Sequence, residues 1–510
     1  MHNRLARVLV LGLVLVAALL GGATSAWGAD EESWYVVQIS GKKAGHMVQT
    51  VRTGDGTITT SSTMALKIRR DTSVIAVTLS SAFVETVDHT PVSMRSEQAI
   101  GAGPELVEYR FTPAGVEVTR GPAEKRTKEI KPRPEGDWLT PAAAAAATAR
   151  AIADGRRSFV VRSIDPASGL APITTTYTVG EKTTARALGR EVPGVEWVTS
   201  VDKYPGVKSR EVVDLSGRAV RSTTSVGGLE LEIVLADREL AMVRAEPPEL
   251  LNSSMITPDR AIGRPRDAAR ATYIVSTREE AMPDLPSIGG QVATRLDARR
   301  FRVSVDRARG SEPEGGEAGD AALLAPSAMI TSRDAAVVRL AERAVAGLKD
   351  AGPGERAESL RRGVHGLITK KDLDVGFASA AETARTLSGD CTEHAVLLAA
   401  MLRSQKIPSR VVSGLVYVER GGGAGGGGVF GYHMWTQALI DGKRGPRWID
   451  LDATLGPGTP TDATHIGLVV STLSDEGMSN DLVRLVPLLG TLEIRVEAVE
   501  PAEPGRGVGR

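Results

Sequence analysis

A single cysteine, Cys391, occurs in the 510 residues of this chain. It stands in Ser388-Gly389-Asp390-Cys391-Thr392-Glu393-His394-Ala395. Two further motifs follow, Gly431-Tyr432-His433-Met434-Trp435 and Trp448-Ile449-Asp450-Leu451-Asp452-Ala453-Thr454. A thiol, then an imidazole, then a carboxylate is the chain order of one large class of thiol enzymes. In such a set the thiolate attacks a carbonyl, a base within reach takes its proton, and a third group orients the base. The plain alternative for a lone cysteine is a small buried hydrophobe. Alone, it cannot form an internal disulfide, and exported proteins that use cysteine for stability carry it in even numbers. The two later motifs shift the balance toward chemistry.

These residues need a frame. From Ser332 the hydrophobic period turns helical. Ser332 reads as the cap of a helix over Arg333 to Lys349, and Glu355 to Ile368 as a second. Ser379-Ala380-Ala381-Glu382 is a capping box that opens a third helix, ending near Ser388-Gly389. A fourth begins at Cys391. Its body, Ala395 to Leu402, is apolar on every side, as in a buried central helix. Ile407-Pro408 ends it, and Arg410 to Val418, His433 to Ile440 and Arg447 to Leu451 read as strands.

On that frame Cys391 is the first residue of a buried helix. The partial positive charge and unpaired N–H groups of a helix start favour a thiolate and suit an oxyanion. His433 opens one strand and Asp452 ends the next, so adjacent antiparallel strands bring the two together. Asp450 lies on the same face as Asp452 by alternation, so parity leaves both carboxylates open. Cys391, His394, His433 and an aspartate could also hold zinc. The motif order accounts for them without metal, and neither metal nor cofactor is expected. His394 then reads as a supporting or packing neighbour, and Glu393 as a structural residue near the helix start. Gly421 to Gly428 lacks the Lys-Ser/Thr and the strand-to-helix setting of a phosphate loop, and reads as a flexible hairpin tip. Tyr432 and Trp435 suit a cleft lining or the core equally.

The pattern G-x-C-x-E-x-A, I-P-x-R-V-V-x-G, H-x-W and W-x-x-x-D-A-T resembles that of the transglutaminase-like superfamily. It is carried by Gly389, Cys391, Glu393 and Ala395; by Ile407, Pro408, Arg410, Val411, Val412 and Gly414; by His433 and Trp435; and by Trp448, Asp452, Ala453 and Thr454. The order and loop lengths fit over about residues 332–469. The resemblance implies an α+β, papain-like core in which the Cys helix packs on an antiparallel sheet bearing the His and the Asp. It implies Cys391 as nucleophile, His433 as base and acid, and Asp452 rather than Asp450 as the orienting carboxylate. The implied substrate is a carboxamide or peptide bond in a protein or peptide. Calcium dependence is not carried over, because no acidic EF-hand-like loop is present. The alternative is a non-catalytic envelope scaffold or binding protein that retains the fold.

The rest of the chain sets the context. Arg4 and Arg7, the apolar run Val8 to Leu20 and the small-residue exit Ala26-Trp27-Gly28 have the form of a signal peptide over residues 1–28. The run is short for a membrane span, so the mature chain is expected outside the cytoplasm, periplasmic or secreted, with no stable span after cleavage. Retention of the run as an anchor is the minority reading. The charges balance, 62 basic against 62 acidic residues, which removes any general attraction to nucleic acid. Residues 29–245 show short β-branched runs broken by Gly, Pro and Asp, the pattern of a large β-rich domain built as an antiparallel sheet or open barrel. One helix interrupts it, with Thr140 at the cap, Pro141 in the first turn and a run from Ala142 to Ala153. His46 and His89 read as isolated surface residues. Residues 246–331 read as an irregular connector, 332–475 as the transglutaminase-like catalytic domain, and 476–510 as a C-terminal strand and tail.

Overall fold

A computed structural model describes residues 30–70, 73–100, 104–121, 126–202, 207–214, 217–226, 229–248, 255–278, 281–314, 317–348, 350–369, 378–419, 427–442, 445–474, 488 and 490–502. The apolar leader, its cleavage site and most of the Gly421–Gly428 run lie outside the described residues. The chain divides into two compact units between Leu250 and Leu251.

In the first unit, fourteen strands form one antiparallel sheet, as the β-branched runs imply. Consecutive strands pair along the chain except Thr127–Lys131 and Ser158–Ser163, which form the two edges, and the first, Glu31–Ile39, pairs with the last, Leu229–Ala236. Alternation places Tyr35, Val37 and Ile39 in the core. One edge strand, Thr127–Lys131, is polar and mostly exposed, which discourages pairing with another chain. The helix is Pro141–Ala153, but the Thr140 side chain does not cap it. Thr140 Oγ1 instead donates to the buried carboxylate of Glu85, which also accepts from the Ala142 N–H. His89 Nδ1 lies 2.6 Å from the same carboxylate, and His46 stacks near Trp34. Both histidines, expected on the surface, are half-buried.

Glu211 is buried in this sheet with Thr199 Oγ1 as its donor, and burial raises its carboxyl from 4.5 to about 7. Below pH 4.5 the folded and unfolded chains both hold the proton. Between 4.5 and 7 only the folded chain holds it, so stability falls as pH rises and the full cost is present above 7. Glu211→Gln should therefore stabilise the first unit at pH 8 by about 2 kcal/mol and flatten this dependence. Urea melts of both proteins at pH 5 and pH 8 measure it. An equal slope in the two proteins would show that Glu211 ionises freely.

The second unit carries two four-stranded antiparallel sheets. One holds β1 (Ala268–Thr277), β2 (Gln291–Arg295), β3 (Arg300–Asp306) and β8 (Leu492–Pro501), in the order β2-β3-β1-β8. Three strands thus lie where an irregular connector is expected. Their alternation is clear in β3, where Phe301, Val303 and Val305 point inward. Pro247, Pro248, Pro258, Pro265, Pro283 and Pro286, which break up this stretch of sequence, all fall outside the strands.

The other sheet carries the motifs. It orders β4 (Ser409–Glu419), β5 (Gly428–Gly442), β6 (Gly445–Leu451) and β7 (Ile466–Ser471) as β6-β5-β4-β7. Glu419 pairs with Gly428, so β4 and β5 flank the glycine run. The helices are α1 (Ala335–Ala344), α2 (Pro353–Leu367), α3 (Ala380–Thr386) and α4 (Cys391–Ser404). Helix α4 packs on β4 and β5 and is buried from Cys391 to Arg403, as its all-round apolar body requires. Arg403 donates from its two terminal guanidinium nitrogens to the carbonyls of Ala325, Ser409 and Thr472. Ser379 caps α3, its hydroxyl accepting from the Glu382 N–H, which is one half of the expected capping box. Helix α1 starts later than the Ser332 reading, because the Asp334 carboxylate takes the Ala336 N–H. No described helix is long and apolar enough to cross a membrane.

Candidate active site

The turn before α4 fixes Cys391. Gly389 has φ +151°, and a Cβ there would sit 2.4 Å from the Glu393 side chain, so only glycine fits. Asp390 is the N-cap. Its carboxylate accepts from the Thr392 N–H and the N–H of Glu393, while the Glu393 carboxylate accepts from the Asp390 N–H at 2.9 Å and the Ala378 N–H at 3.0 Å. The helix start is therefore occupied by two carboxylates. This corrects the expectation of a freely positive terminus with several open donors. The cap satisfies two of them, and the Asp390 charge raises the Cys391 thiol instead of lowering it. Burial and the charge of Asp390 raise the Glu393 carboxyl to about 8. His394 donates from Nδ1 to the Asp390 carbonyl at 2.6 Å, and burial lowers it below the usual imidazole value.

His433 lies in β5 and Asp452 directly after β6. Nε2 of His433 meets Oδ2 of Asp452 at 2.8 Å, with both residues buried. The ring also hydrogen-bonds to Cys391, which leaves Nδ1 as the nitrogen on the thiol side. Burial raises the thiol, and the hydrogen bond and charge of His433 draw it down. Burial opposes the imidazolium, yet the Asp452 charge and hydrogen bond lift His433 to about 10. Burial likewise opposes the Asp452 carboxylate, but His433 and then His465 hold it well below the usual range. Its other oxygen accepts from Thr454 twice, from the N–H at 2.8 Å and the hydroxyl at 2.7 Å. The D-A-T motif is thus a turn that aims one carboxylate oxygen at the imidazole.

Asp450, left open by strand parity, serves elsewhere. It accepts from Trp435 Nε1 at 2.7 Å, Gln437 Nε2 at 2.8 Å and the Gly290 N–H at 3.3 Å. Gln437 accepts from Arg410, whose guanidinium lies 3.9 Å above the Trp448 ring. The motif residues outside the thiol set therefore lock β4, β5 and β6 together. Gly414 belongs to the same lock, since a Cβ there would meet the Ile466 carbonyl at 2.0 Å and the Trp435 ring at 2.7 Å. Tyr432 and Trp435 are both buried, and Tyr432 donates to the Leu488 carbonyl.

Several residues at the site carry no motif. His465 Nε2 reaches the same Asp452 oxygen at 3.2 Å. Arg361 of α2 donates to the carbonyls of Asp452 and Leu455, and His365 contacts the Ala453 carbonyl, so α2 clamps the turn that bears Asp452. A signal for His465 does exist in the chain. Asp462-Ala463-Thr464-His465 repeats the D-A-T of residues 452–454, and it forms the same Asp-to-Thr turn. His433, Asp452 and His465 place possible metal-ligand atoms within 4.8 Å of one another, but the same atoms are already hydrogen-bonded among themselves.

Known proteins resemble parts of the chain. A β-barrel-like protein of a domain of unknown function from Brucella abortus is 11% identical, with a TM-score of 0.33 over 42% of this chain and 97% of its own. A candidate cysteine protease from Cytophaga hutchinsonii is 14% identical, with a TM-score of 0.26 over 46% of this chain and 89% of its own. A candidate protease from Parabacteroides distasonis is 12% identical, with a TM-score of 0.18 over 74% of this chain and 68% of its own. No curated protein matches. Residues 338–453, which hold Cys391, His433 and Asp452, match the family model of the transglutaminase-like superfamily.

Proposed function

We propose that the protein is an exported thiol enzyme that cleaves or transfers the acyl group of a carboxamide or peptide bond in a protein or peptide. The observation that carries this is the buried chain Cys391–His433–Asp452, with an ionised carboxylate 2.8 Å from the imidazole. The Cys391 thiolate attacks the carbonyl carbon, and the negative oxygen sits at the start of α4, where Asp390 has already taken the N–H groups of residues 392 and 393. The N–H of Cys391 itself is the donor assigned to that oxygen. His433 gives its proton to the leaving nitrogen as the C–N bond breaks, which leaves a thioester on Cys391. Water or an amine then attacks the thioester, His433 takes its proton, and the thiolate leaves. Water yields an acid and an amine yields a new amide. Water is favoured, which makes the protein a protease or amidase. Residues 1–28 are assigned as a signal peptide, which places this chemistry outside the cytoplasm.

The purified mature protein should label with an iodoacetamide probe at Cys391 alone and release amine from a peptide library. Cys391→Ala should do neither. Undiminished release by the folded Ala variant would end the reading.

A further inference from the structure

His465 sits between two acceptors. Nδ1 lies 3.1 Å from the backbone oxygen of Asp462 and 3.4 Å from its carboxylate, and Nε2 lies 3.2 Å from the carboxylate of Asp452. A backbone carbonyl only accepts, so Nδ1 carries a proton. Asp452 receives two donors from Thr454 and one from His433, the surroundings of an ionised carboxylate, so Nε2 donates as well. A ring that donates from both nitrogens is an imidazolium. Burial opposes that charge, and the hydrogen bonds to Asp452 and Asp462 outweigh it, which raises His465 above the usual imidazole value. Asp462 is in turn paired with Arg266, from the turn that precedes β1.

We propose that His465 is a positioning residue, a standing imidazolium that shares Asp452 with His433 and so limits how firmly Asp452 holds the His433 proton. The ring centroids of His433 and His465 are 5.7 Å apart, close enough for two buried cations to repel strongly. Asp452 alone would make His433 a reluctant acid. A second cation on the same oxygen brings it back toward the range where a general acid works. The charged groups that face His465 are Asp452 after β6, Asp462 in its own turn and His433 in β5, with the neutral Trp435 ring edge-on at 5.2 Å. Its open side borders a cavity of about 330 Å3, to which Asp450, Arg361 and Arg307 also contribute.

The catalytic half of this proposal rests on the thiol-enzyme reading, and the protonation half does not. Nitrogen-15 spectra of histidine-labelled whole protein should show His465 protonated on both nitrogens at pH 7. A singly protonated ring would overturn the proposal. His465→Gln keeps a hydrogen-bond donor and removes the charge. In this variant the pH at which His433 loses its proton, read from its own nitrogen-15 shifts, should move up by about one unit. The variant's kcat for a peptide amide should fall several-fold with KM unchanged. A folded Gln variant with an unmoved His433 titration reduces His465 to packing and overturns the proposal. Where the Gln variant does not fold, the spectra of the parent protein decide. An inert thiol in the parent would instead end the thiol-enzyme reading and leave the protonation result standing.

Discussion

Asp452→Asn is expected to lower kcat by roughly three to four orders of magnitude in a protein that still folds. The reason is local. Asp452 accepts on both sides, from Thr454 through Oδ1 and from two imidazoles through Oδ2. An asparagine can satisfy only one side. If its oxygen turns to Thr454, its NH2 faces Nε2 of His433, which must then lose its proton there and carry it on Nδ1, where the base is needed by the thiol. If the oxygen turns to His433, the NH2 meets the two Thr454 donors. Asp450→Asn should behave differently, because Asp450 holds Trp435, Gln437 and the Gly290 N–H. It should cost about 1–2 kcal/mol of stability and less than tenfold in kcat. Turnover of both variants, with circular dichroism to establish folding, gives the ranking. The reverse order would move the orienting role to Asp450.

His433→Ala should slow alkylation of Cys391 at pH 6.5 by about a hundredfold. Burial and the Asp390 carboxylate push this thiol up, and the hydrogen bond and charge of His433 draw it down. Without the imidazole both of its downward influences are lost, and the thiolate should form only at higher pH. In the parent the Asp452 charge lifts His433 to about 10, so the thiolate–imidazolium pair should hold reactivity on a plateau through neutral pH. Stopped-flow alkylation across pH measures both curves. Identical profiles would mean that the thiol is activated by something other than His433.

The thiol set was legible in the chain because each of its members sits in a local motif whose geometry is short-range. Gly389, the Asp390 cap and the Asp452 turn each act within four residues. The repeated D-A-T turn marks His465 in the chain, but not that it touches the same carboxylate. Its place depends on β7 pairing with β4, where Gly414 faces Gly467, and no local pattern records that register. Arg361 is similar, since it meets the Asp452 turn from a helix 91 positions earlier. The cap on helix Pro141–Ala153 shows the same limit. Thr140 occupies the cap position, yet the acceptor is Glu85, from another strand of the sheet. The first sheet of the second unit was missed for the same reason. Its strands are short, and β1 finds its partner β8 at the far end of the chain.

That last pairing bears on when the site can form. Thr277 at the end of β1 bonds Thr491 across 214 positions, and the start of β1 pairs with Pro501. Arg266, in the turn that leads into β1, holds Asp462, which holds His465 against Asp452. The carboxylate that orients the base is thus tied to a loop closure of very high contact order, and such closures are slow. Synthesis supplies β8 after every other part of this support, so the proposed thiol site matures late. A chain still emerging carries Cys391 but lacks the strand that completes the support behind Asp452.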